Sequence, residues 1–354
     1  MPAGPDAGTA PPRAPARRAR AAALLRRAGR RTNAGLLLLL VGSLATGGLA
    51  FATAGPVSAR AAAVAHGVVG LGLVVLAPWK VVVARRAPRL TATSLTLAGL
   101  VVVCLVAGVV EVLAGPDLTA PLTPIQVHVG AAVGIVVLLV VHVTRHWRPR
   151  LVRRTDAGRR QLLRTATFGA AAAGAYVVVE GVATATGVAR ERTATGSHPI
   201  AASAIPATIW LLDRVPGPSD RAQRVLVDGV GVDAAELDAR GTPVRARLDC
   251  TTGWYADATW TGVALADLLP AAAVAQARSV VVTSVTGYRR RFNVQALAEL
   301  HLCTRVEGER LSPGTGAPVR LVAPGHRGFW WVKWVASVEL SPLPAAAQSP
   351  FPLQ

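Results

Sequence analysis

Cysteine and lysine are both scarce in this sequence of 354 residues. Its three cysteines, Cys104, Cys250 and Cys303, lie too far apart in the chain to form the disulfide framework of a small secreted domain. Lys80 and Lys333 are its only lysines, so arginine carries almost all of the positive charge. Two lysines in so arginine-rich a chain either serve a purpose or remain by chance.

Aromatic residues are few as well, at 5% of the chain, although the net charge is +19. A protein that binds single-stranded nucleic acid places aromatic side chains among its basic residues, because bases stack on them. The arginines are instead concentrated beside apolar segments, at 13–31, 85–89 and 145–164. We therefore expect no nucleic-acid partner.

The first half of the chain is strongly apolar. Hydrophobic residues make up 52% of the sequence and the mean hydropathy is +0.42, which is too high for an ordinary soluble protein and indicates membrane spans. Each of five apolar segments approaches the length of about 20 residues that a helix needs to cross a bilayer. We predict five membrane-spanning helices, at about 34–54, 61–84, 91–114, 124–144 and 162–187.

The distribution of arginine predicts the orientation of these helices, because arginine-rich flanks remain in the cytoplasm. The tail 1–33 and the loops 85–89 and 145–164 are basic, whereas the segments 54–60 and 114–124 carry little positive charge. We expect a multi-pass protein of the cytoplasmic membrane, in contact with lipid, with a disordered cytoplasmic tail and an extracytoplasmic C-terminal domain.

Two histidines lie inside the predicted spans at matching depth, His66 near the outer end of the second span and His128 near the outer end of the fourth. Polar groups inside a membrane are costly, and two histidines on facing helices can bind one haem iron. The pair resembles the bis-histidine pattern of b-type cytochrome bundles. In the two-haem form, each of two helices carries a second histidine 14 residues after the first. His142 follows His128 at this spacing, but the residue 14 positions after His66 is Lys80. The alternatives are one outer haem b, or histidines that form hydrogen bonds within the bundle without a metal.

After about residue 190 the sequence changes to short β-rich runs separated by glycine, proline and aspartate turns. One helical piece, VALADLLPAA, lies at 263–272. We predict a compact domain that is mostly β with a few helices. The expected strands include RVLVDGV at 224–230, SVVVTSV at 279–285, VRLVAP at 319–324 and VASVEL at 335–340.

Four motifs follow one another in this second half: LDCTTGW (248–254), WTGVALADLL (260–269), TGY (286–288) and GAPVRLVAPGHRGFWWVKWVASVEL (316–340). Together they resemble the molybdopterin-binding domain of the sulfite oxidase superfamily, which includes the catalytic subunit of the periplasmic methionine-sulfoxide reductase. The resemblance covers most of 205–340. It implies a molybdenum-dependent oxidoreductase acting on a small-molecule oxo-substrate. The expected fold is therefore multi-domain, an all-α transmembrane bundle followed by a mostly-β α+β domain.

The resemblance implies that the thiolate of Cys250 binds molybdenum beside the pterin dithiolene, a role that suits a soft sulfur ligand. The alternatives are a buried structural thiol or a disulfide with Cys303. Tyr288 falls where the family has a tyrosine close to the metal, and would form a hydrogen bond with an oxo group of the substrate; a core or surface tyrosine is the alternative. Sulfite oxidases carry an arginine shortly after the cysteine, whereas residues 251–254 are Thr-Thr-Gly-Trp, which argues against sulfite as the substrate.

By the same resemblance Arg320 and Lys333 bind the phosphate of the cofactor. A guanidinium binds a phosphate in bidentate fashion and an ammonium binds it as a point charge. The main-chain groups of Trp331 and Val332 would line the same cofactor. Thr315 stands where sulfite oxidases have a histidine, and is included among the cofactor contacts on that ground. A surface arginine and lysine on an edge strand are the alternative.

Arg159 and Arg160 open the sequence RRQLLR before the fifth apolar segment, which is the layout of a twin-arginine export signal. Pterin cofactors of this class are inserted in the cytoplasm, so the resemblance implies that the domain folds before export. The twin-arginine route carries folded proteins. Ordinary positive charge on the inner face of the membrane is the alternative.

These interpretations combine into a membrane-anchored molybdopterin-dependent oxidoreductase, which exchanges electrons through haem b and then with quinone or another redox carrier. A haem-free anchor served by a soluble carrier and a cofactor-free binding module are the alternatives. We expect four regions: a basic tail at 1–33, a four-helix bundle at 34–145, a basic loop with the export signal and fifth span at 146–188, and the extracytoplasmic domain at 189–354.

Overall fold

The structure is a computed structural model. It describes residues 29–86, 91–146, 159–209, 214–221, 224–349 and 351. Most of the predicted tail and of the basic loop 145–164 lies outside the described residues, as do the side chains of Arg159 and Arg160. The first helix begins at Arg30, inside the segment predicted to be the tail.

The first half of the chain forms five helices that are long and apolar enough to cross a membrane. Pro56 occupies the first position of the second helix, where the missing N–H of proline costs nothing. Thr91 caps the third helix by accepting a hydrogen bond from the Ser94 N–H at 3.2 Å. The five predicted segments are confirmed as helices: α1 (Arg30–Ala52), α2 (Pro56–Arg85), α3 (Ala92–Ala114), α4 (Pro124–His146) and α5 (Arg159–Ala185).

The helices pack as two antiparallel pairs joined by the fifth. Helix α1 lies on α2, α3 lies on α4, and α5 contacts α2 and α3. A Cβ atom on Gly67 of α2 would lie 2.5 Å from ring atoms of Tyr176 on α5, so a larger residue would force the two helices apart. Small residues at such contacts are what allows membrane helices to approach closely.

The second half forms two sheets. In the first sheet β1 (His198–Pro199), β5 (Trp254–Ala264), β8 (His301–Val306) and β10 (Arg320–Val322) lie side by side; β4 (Thr242–Asp249) pairs with β5, and β9 (Glu309–Arg310) with β8. The second sheet has the order β3 (Val230–Asp233), β2 (Arg224–Val227), β11 (Val335–Ser341), β6 (Ser279–Ser284) and β7 (Arg289–Asn293). The predicted β-rich runs all contain strands of these sheets.

The core of this domain is a single apolar cluster contributed by both sheets. Trp254 and Trp260 on β5 and Val280 and Val282 on β6 are almost completely buried. Residues an even number of positions apart on a strand face the same side of a sheet, which explains why the members of each pair are buried together. The elements that carry the site are therefore anchored in one packed core.

The prediction of a helix at 263–272 was wrong. Val263 and Ala264 belong to β5, because they pair with Leu302 and His301 of β8. A 3₁₀ turn follows, and Pro270 precedes the short helix α7 (Ala271–Val274). Pairing in the sheet overrides the local helical pattern here. A further helix that the sequence reading missed, α6 (Ala234–Arg240), lies between β3 and β4.

Candidate active site

Cys250 lies directly after β4, in the tight turn that leads into β5. Its backbone N–H donates to the carbonyl of Trp254 at 2.8 Å, and Gly253 closes the turn with a φ of 94°, a conformation that favours glycine. The thiol is 8% exposed and its sulfur lies 3.1 Å from Thr252 Oγ1. The hairpin thus presents one buried cysteine at its tip.

All three cysteines are free thiols, so the disulfide considered between Cys250 and Cys303 does not form in this structure. Burial raises the pKa of the Cys303 thiol to about 12, against the opposing effect of the nearby Arg320 charge. Cys303 therefore stays a neutral, inert thiol in the core.

A buried ion pair holds a second segment against Cys250. Arg327 donates to Asp249 Oδ1 at 2.7 Å, and the hydroxyls of Ser197 and Thr195 donate to the same carboxylate. The pair fixes the loop 325–330 beside the turn. A Cβ atom on Gly328 would lie 3.1 Å from the Cα of Cys250. The role of Asp249 was missed in the sequence, although this residue immediately precedes the cysteine.

Arg320, Thr315 and Lys333 come together in the structure. Arg320 is 1% exposed and donates to the carbonyl of Thr315 at 2.9 Å. The Lys333 ammonium donates to the carbonyl of Gly314 at 2.7 Å. Gly316 lies between them with a φ of 114°, and a Cβ atom there would lie 3.0 Å from Arg320 Cβ and 3.2 Å from Lys333 Cβ. Three residues that the sequence placed at a phosphate site are thus neighbours.

The guanidinium of Arg320 has no carboxylate partner among the described residues, and its Nε donates no hydrogen bond. Its carbon atom lies 4.9 Å from the Trp260 ring centroid and 5.6 Å from that of Trp331. Desolvation lowers the pKa of Arg320 to about 10, with the nearby Cys303 and Cys250 opposing that shift. A buried unpaired charge is costly, so this position fits an anionic group such as the phosphate of a pterin cofactor.

Tyr288 and the loop 325–330 are also in contact. The phenol of Tyr288 donates to the carbonyl of Phe329 and accepts a hydrogen bond from Arg290 Nε at 2.9 Å. Desolvation raises its pKa, so the phenol keeps its proton. Because Gly328 touches Cys250, the tyrosine and the cysteine contact neighbouring residues of one loop.

The main chain around Trp331 and Val332 closes the same region. The Val332 carbonyl accepts a hydrogen bond from the Leu321 N–H at 2.7 Å, next to Arg320 on β10. Trp331 donates from its indole N–H to the carbonyl of His326 at 3.3 Å. Both residues are buried. Their hydrogen bonds connect β10 with the loop 325–330; their role as cofactor contacts stays a prediction.

His66 and His128 meet in the bundle with ring centroids 5.7 Å apart. His66 Nδ1 lies 3.1 Å from the carbonyl of Ser43, and His128 Nδ1 lies 2.7 Å from that of Cys104. A Cβ atom on the facing glycine of a neighbouring helix would lie 3.0 Å from the first ring and 2.9 Å from the second. The two rings are neighbours, and their ligation of a haem stays a prediction.

The turn that carries Cys250 rests on the helical bundle. Thr123 Oγ1 donates to the carbonyl of Thr252 at 3.3 Å. Ile125 of α4 would lie 3.2 Å from a Cβ atom on Gly253, and the buried carboxyl of Glu111 on α3 touches the same glycine. The histidine pair and the cysteine turn therefore belong to directly contacting parts of the chain.

Among the described residues, no group of three or more His, Cys, Asp or Glu side chains could hold a metal ion. A metal bound at Cys250 would therefore need ligands other than these side chains. The dithiolene sulfurs of a pterin cofactor are ligands of that kind. The donor set and the unpaired Arg320 therefore fit a molybdenum–pterin group.

Residues 228–348 match the family model described as the oxidoreductase molybdopterin binding domain. This segment contains Cys250, Tyr288, Arg320 and Lys333. Residues 228–348 therefore form a molybdopterin-binding oxidoreductase domain within this chain. The five helices lie outside the matched segment.

Among solved structures, the chain is similar to the sulfane dehydrogenase SoxCD from Paracoccus pantotrophus, with 21% sequence identity and a TM-score of 0.32. The similarity covers 36% of this chain and 40% of that one, so it says nothing about the activity of the present protein. No curated protein matches the sequence.

Replacing Arg320 by glutamine should strongly reduce the bound pterin, because the charge-assisted hydrogen bonds lost to the phosphate are worth roughly 1.5–3 kcal/mol each. Pterin released on denaturation can be measured by its fluorescence after oxidation. Arg320→Lys, which keeps the charge, should retain part of the cofactor. Arg247→Gln, at an exposed arginine paired with Asp257, is the control. A full pterin content in Arg320→Gln would contradict the assignment.

Proposed function

We propose that this protein is a membrane-anchored molybdopterin-dependent oxidoreductase, which transfers an oxygen atom to or from a small-molecule oxo-substrate outside the cytoplasmic membrane. His66 and His128 would hold a haem b, which would supply one-electron exchange with quinone. The observation that carries the proposal is the contact between the Cys250 turn and the start of α4, the helix that bears His128. It brings a two-electron site and a one-electron site into one molecule.

The residues that would hold the molybdenum–pterin group divide into three sets. The Cys250 thiolate is the metal ligand, Arg320 and Lys333 bind the phosphate, and Thr315, Trp331 and Val332 contact the cofactor beside them. When bound, the group supplies two-electron oxygen-atom transfer. Burial of the cysteine turn against the bundle excludes water from the ligand side of the site.

Tyr288 is suited to orient the substrate. Its phenol is fixed by the carbonyl of Phe329 and by Arg290. The neutral phenol has one O–H donor, so it would exchange its hydrogen bond with the Phe329 carbonyl for one with an oxo group of the substrate. Residues 251–254 hold no arginine, which favours a neutral S-oxide or N-oxide over sulfite.

His66 and His128 fit axial ligation of one haem. Nδ1 of each ring lies within hydrogen-bond distance of a backbone carbonyl, which fixes the ring. Nε2 would then be the ligand atom, as is usual for a ligating histidine; in His128 it lies 3.9 Å from Cys104 Sγ. Gly47 and Gly108 face the two rings. At the place of a second haem ligand, Lys80 instead donates to Asn33 at 3.1 Å, which supports a single haem.

Membrane insertion is supported by the outward faces of the helices. Large apolar side chains such as Val102, Val137 and Val177 are exposed there, and lipid would cover them. With basic segments inside, the N-terminus lies in the cytoplasm and the 189–354 domain outside. Quinone is the carrier that a membrane haem can reach without leaving the bilayer.

His66→Ala and His128→Ala should each abolish the b-type haem absorbance of the purified protein, because loss of one axial ligand releases or exposes the iron. The reduced-minus-oxidised spectrum measures this. His301→Ala, in the sheet of the outer domain, should leave the spectrum unchanged. If wild-type protein has no such absorbance, the haem-free anchor served by a soluble carrier replaces the proposal.

Arg159→Lys together with Arg160→Lys should leave the outer domain in the cytoplasm with α1–α4 still inserted. The pair begins α5, directly before the domain that must be loaded with its cofactor before export. Protease accessibility of the domain in intact spheroplasts measures its side. Arg153→Lys with Arg154→Lys, upstream in the same basic loop, is the control. Normal export of the first variant would contradict the export signal and leave Arg159 and Arg160 as ordinary positive charge on the inner face of the membrane.

A further inference from the structure

The bundle and the outer domain meet through two aromatic rings. Phe51, at the C-terminal end of α1, stacks on Phe329 of the loop 325–330, with ring centroids 5.1 Å apart and planes inclined by 23°. Phe351 also lies against Phe51, at 6.1 Å. The contact between the two parts of the chain is therefore a packed aromatic one at this point.

On the bundle side, the contact leads back to the His66 ring. Gly47 lies one helical turn before Phe51, on the same face of α1. A Cβ atom on Gly47 would lie 3.0 Å from Cε1 of His66, and Thr46 Oγ1 lies 3.3 Å from Nδ1 of the same ring. The face of α1 that carries Phe51 thus touches the histidine directly.

On the domain side, the contact leads to Cys250. Phe329 follows Gly328, which lies against the Cα of Cys250, and the ion pair of Arg327 with Asp249 holds this loop in place. The two rings therefore bridge a residue that touches His66 and a residue that touches Cys250.

The ring of Phe329 is held from several sides. The guanidinium of Arg290 lies 5.0 Å from its centroid, an attractive arrangement for a cation over an aromatic face. Tyr288 binds its carbonyl, and Phe51 covers the ring. Arg290 is itself buried, so the ring has one fixed position.

We propose that the Phe51–Phe329 stack is the electron-transfer contact between the His66 site and the Cys250 site. This inference rests on the proposed function. Each event moves one electron from the reduced haem to the molybdenum–pterin group or back, so two events balance one oxygen-atom transfer. The stack fills the space between the sites with contacting atoms, whereas a void there would lack them.

A second contact offers a rival route. Ile125 lies one helical turn before His128 on α4 and touches Gly253 of the cysteine turn. The Ile125 contact is aliphatic. The stacked rings of Phe51 and Phe329 have empty π* orbitals of lower energy, which favours electron transfer through them. We therefore assign the transfer to Phe51, and Ile125 serves as the comparison.

The test uses full-length protein carrying both cofactors. Haem is reduced by a laser flash with a flavin photoreductant, and its absorbance is followed as the electron equilibrates with the outer domain. Phe51→Leu removes the ring and keeps an apolar side chain, so the relaxation should slow severalfold. Phe51→Tyr keeps the ring and should restore the rate. Haem spectrum and molybdenum content should be unchanged in both variants.

Two further variants are controls. Phe168→Leu removes a ring from a comparable pair, with Trp79 at 5.1 Å, between α5 and α2, and Ile125→Ala shortens the rival contact; both should relax at the wild-type rate. An unchanged rate in Phe51→Leu, or slowing in Ile125→Ala instead, overturns this inference but leaves the proposed function intact. Wild-type protein without haem or molybdenum overturns both.

Discussion

The buried ion pair between Asp249 and Arg327 is the contact on which the rest of the site depends. It joins the end of β4 to the loop 325–330 with a 2.7 Å hydrogen bond. Removing one partner of such a pair costs about 3–5 kcal/mol, because the other charge stays buried and alone. Cys250 follows the aspartate and Phe329 lies two positions after the arginine. The pair therefore sets the positions of Cys250 and of the ring that meets the bundle.

Two buried arginines of this domain, Arg327 and Arg320, differ in whether the chain supplies a carboxylate partner. Arg327 has its carboxylate within the chain, whereas Arg320 has none among the described residues. A guanidinium buried without a carboxylate is costly, and an anion bound at Arg320 would offset that cost. In the bundle, His66 and His128 each have only one ring nitrogen within hydrogen-bond distance of a backbone carbonyl.

Local features of this protein could be predicted from its sequence, and long-range pairings could not. The five helices are continuous apolar runs, and the motif order predicted the molybdopterin domain with Arg320 and Lys333 as neighbours. The helix expected at 263–272 was wrong because pairing with β8 outweighed its local pattern. The contacts Asp249–Arg327 and Phe51–Phe329 join segments distant in the chain, and no motif or residue spacing in the sequence predicts either contact. Helix α6 carries no long apolar period and was missed.

The molybdenum content of the purified protein and of Cys250→Ser tests the central claim most directly. Protein made in a host that synthesises the cofactor should contain stoichiometric molybdenum by elemental analysis. Cys250→Ser should lose most of it, because an alcohol is a poorer ligand than a thiolate, whereas Cys104→Ser in α3 should keep it. Molybdenum absent from the wild type, or undiminished in Cys250→Ser, would contradict the account.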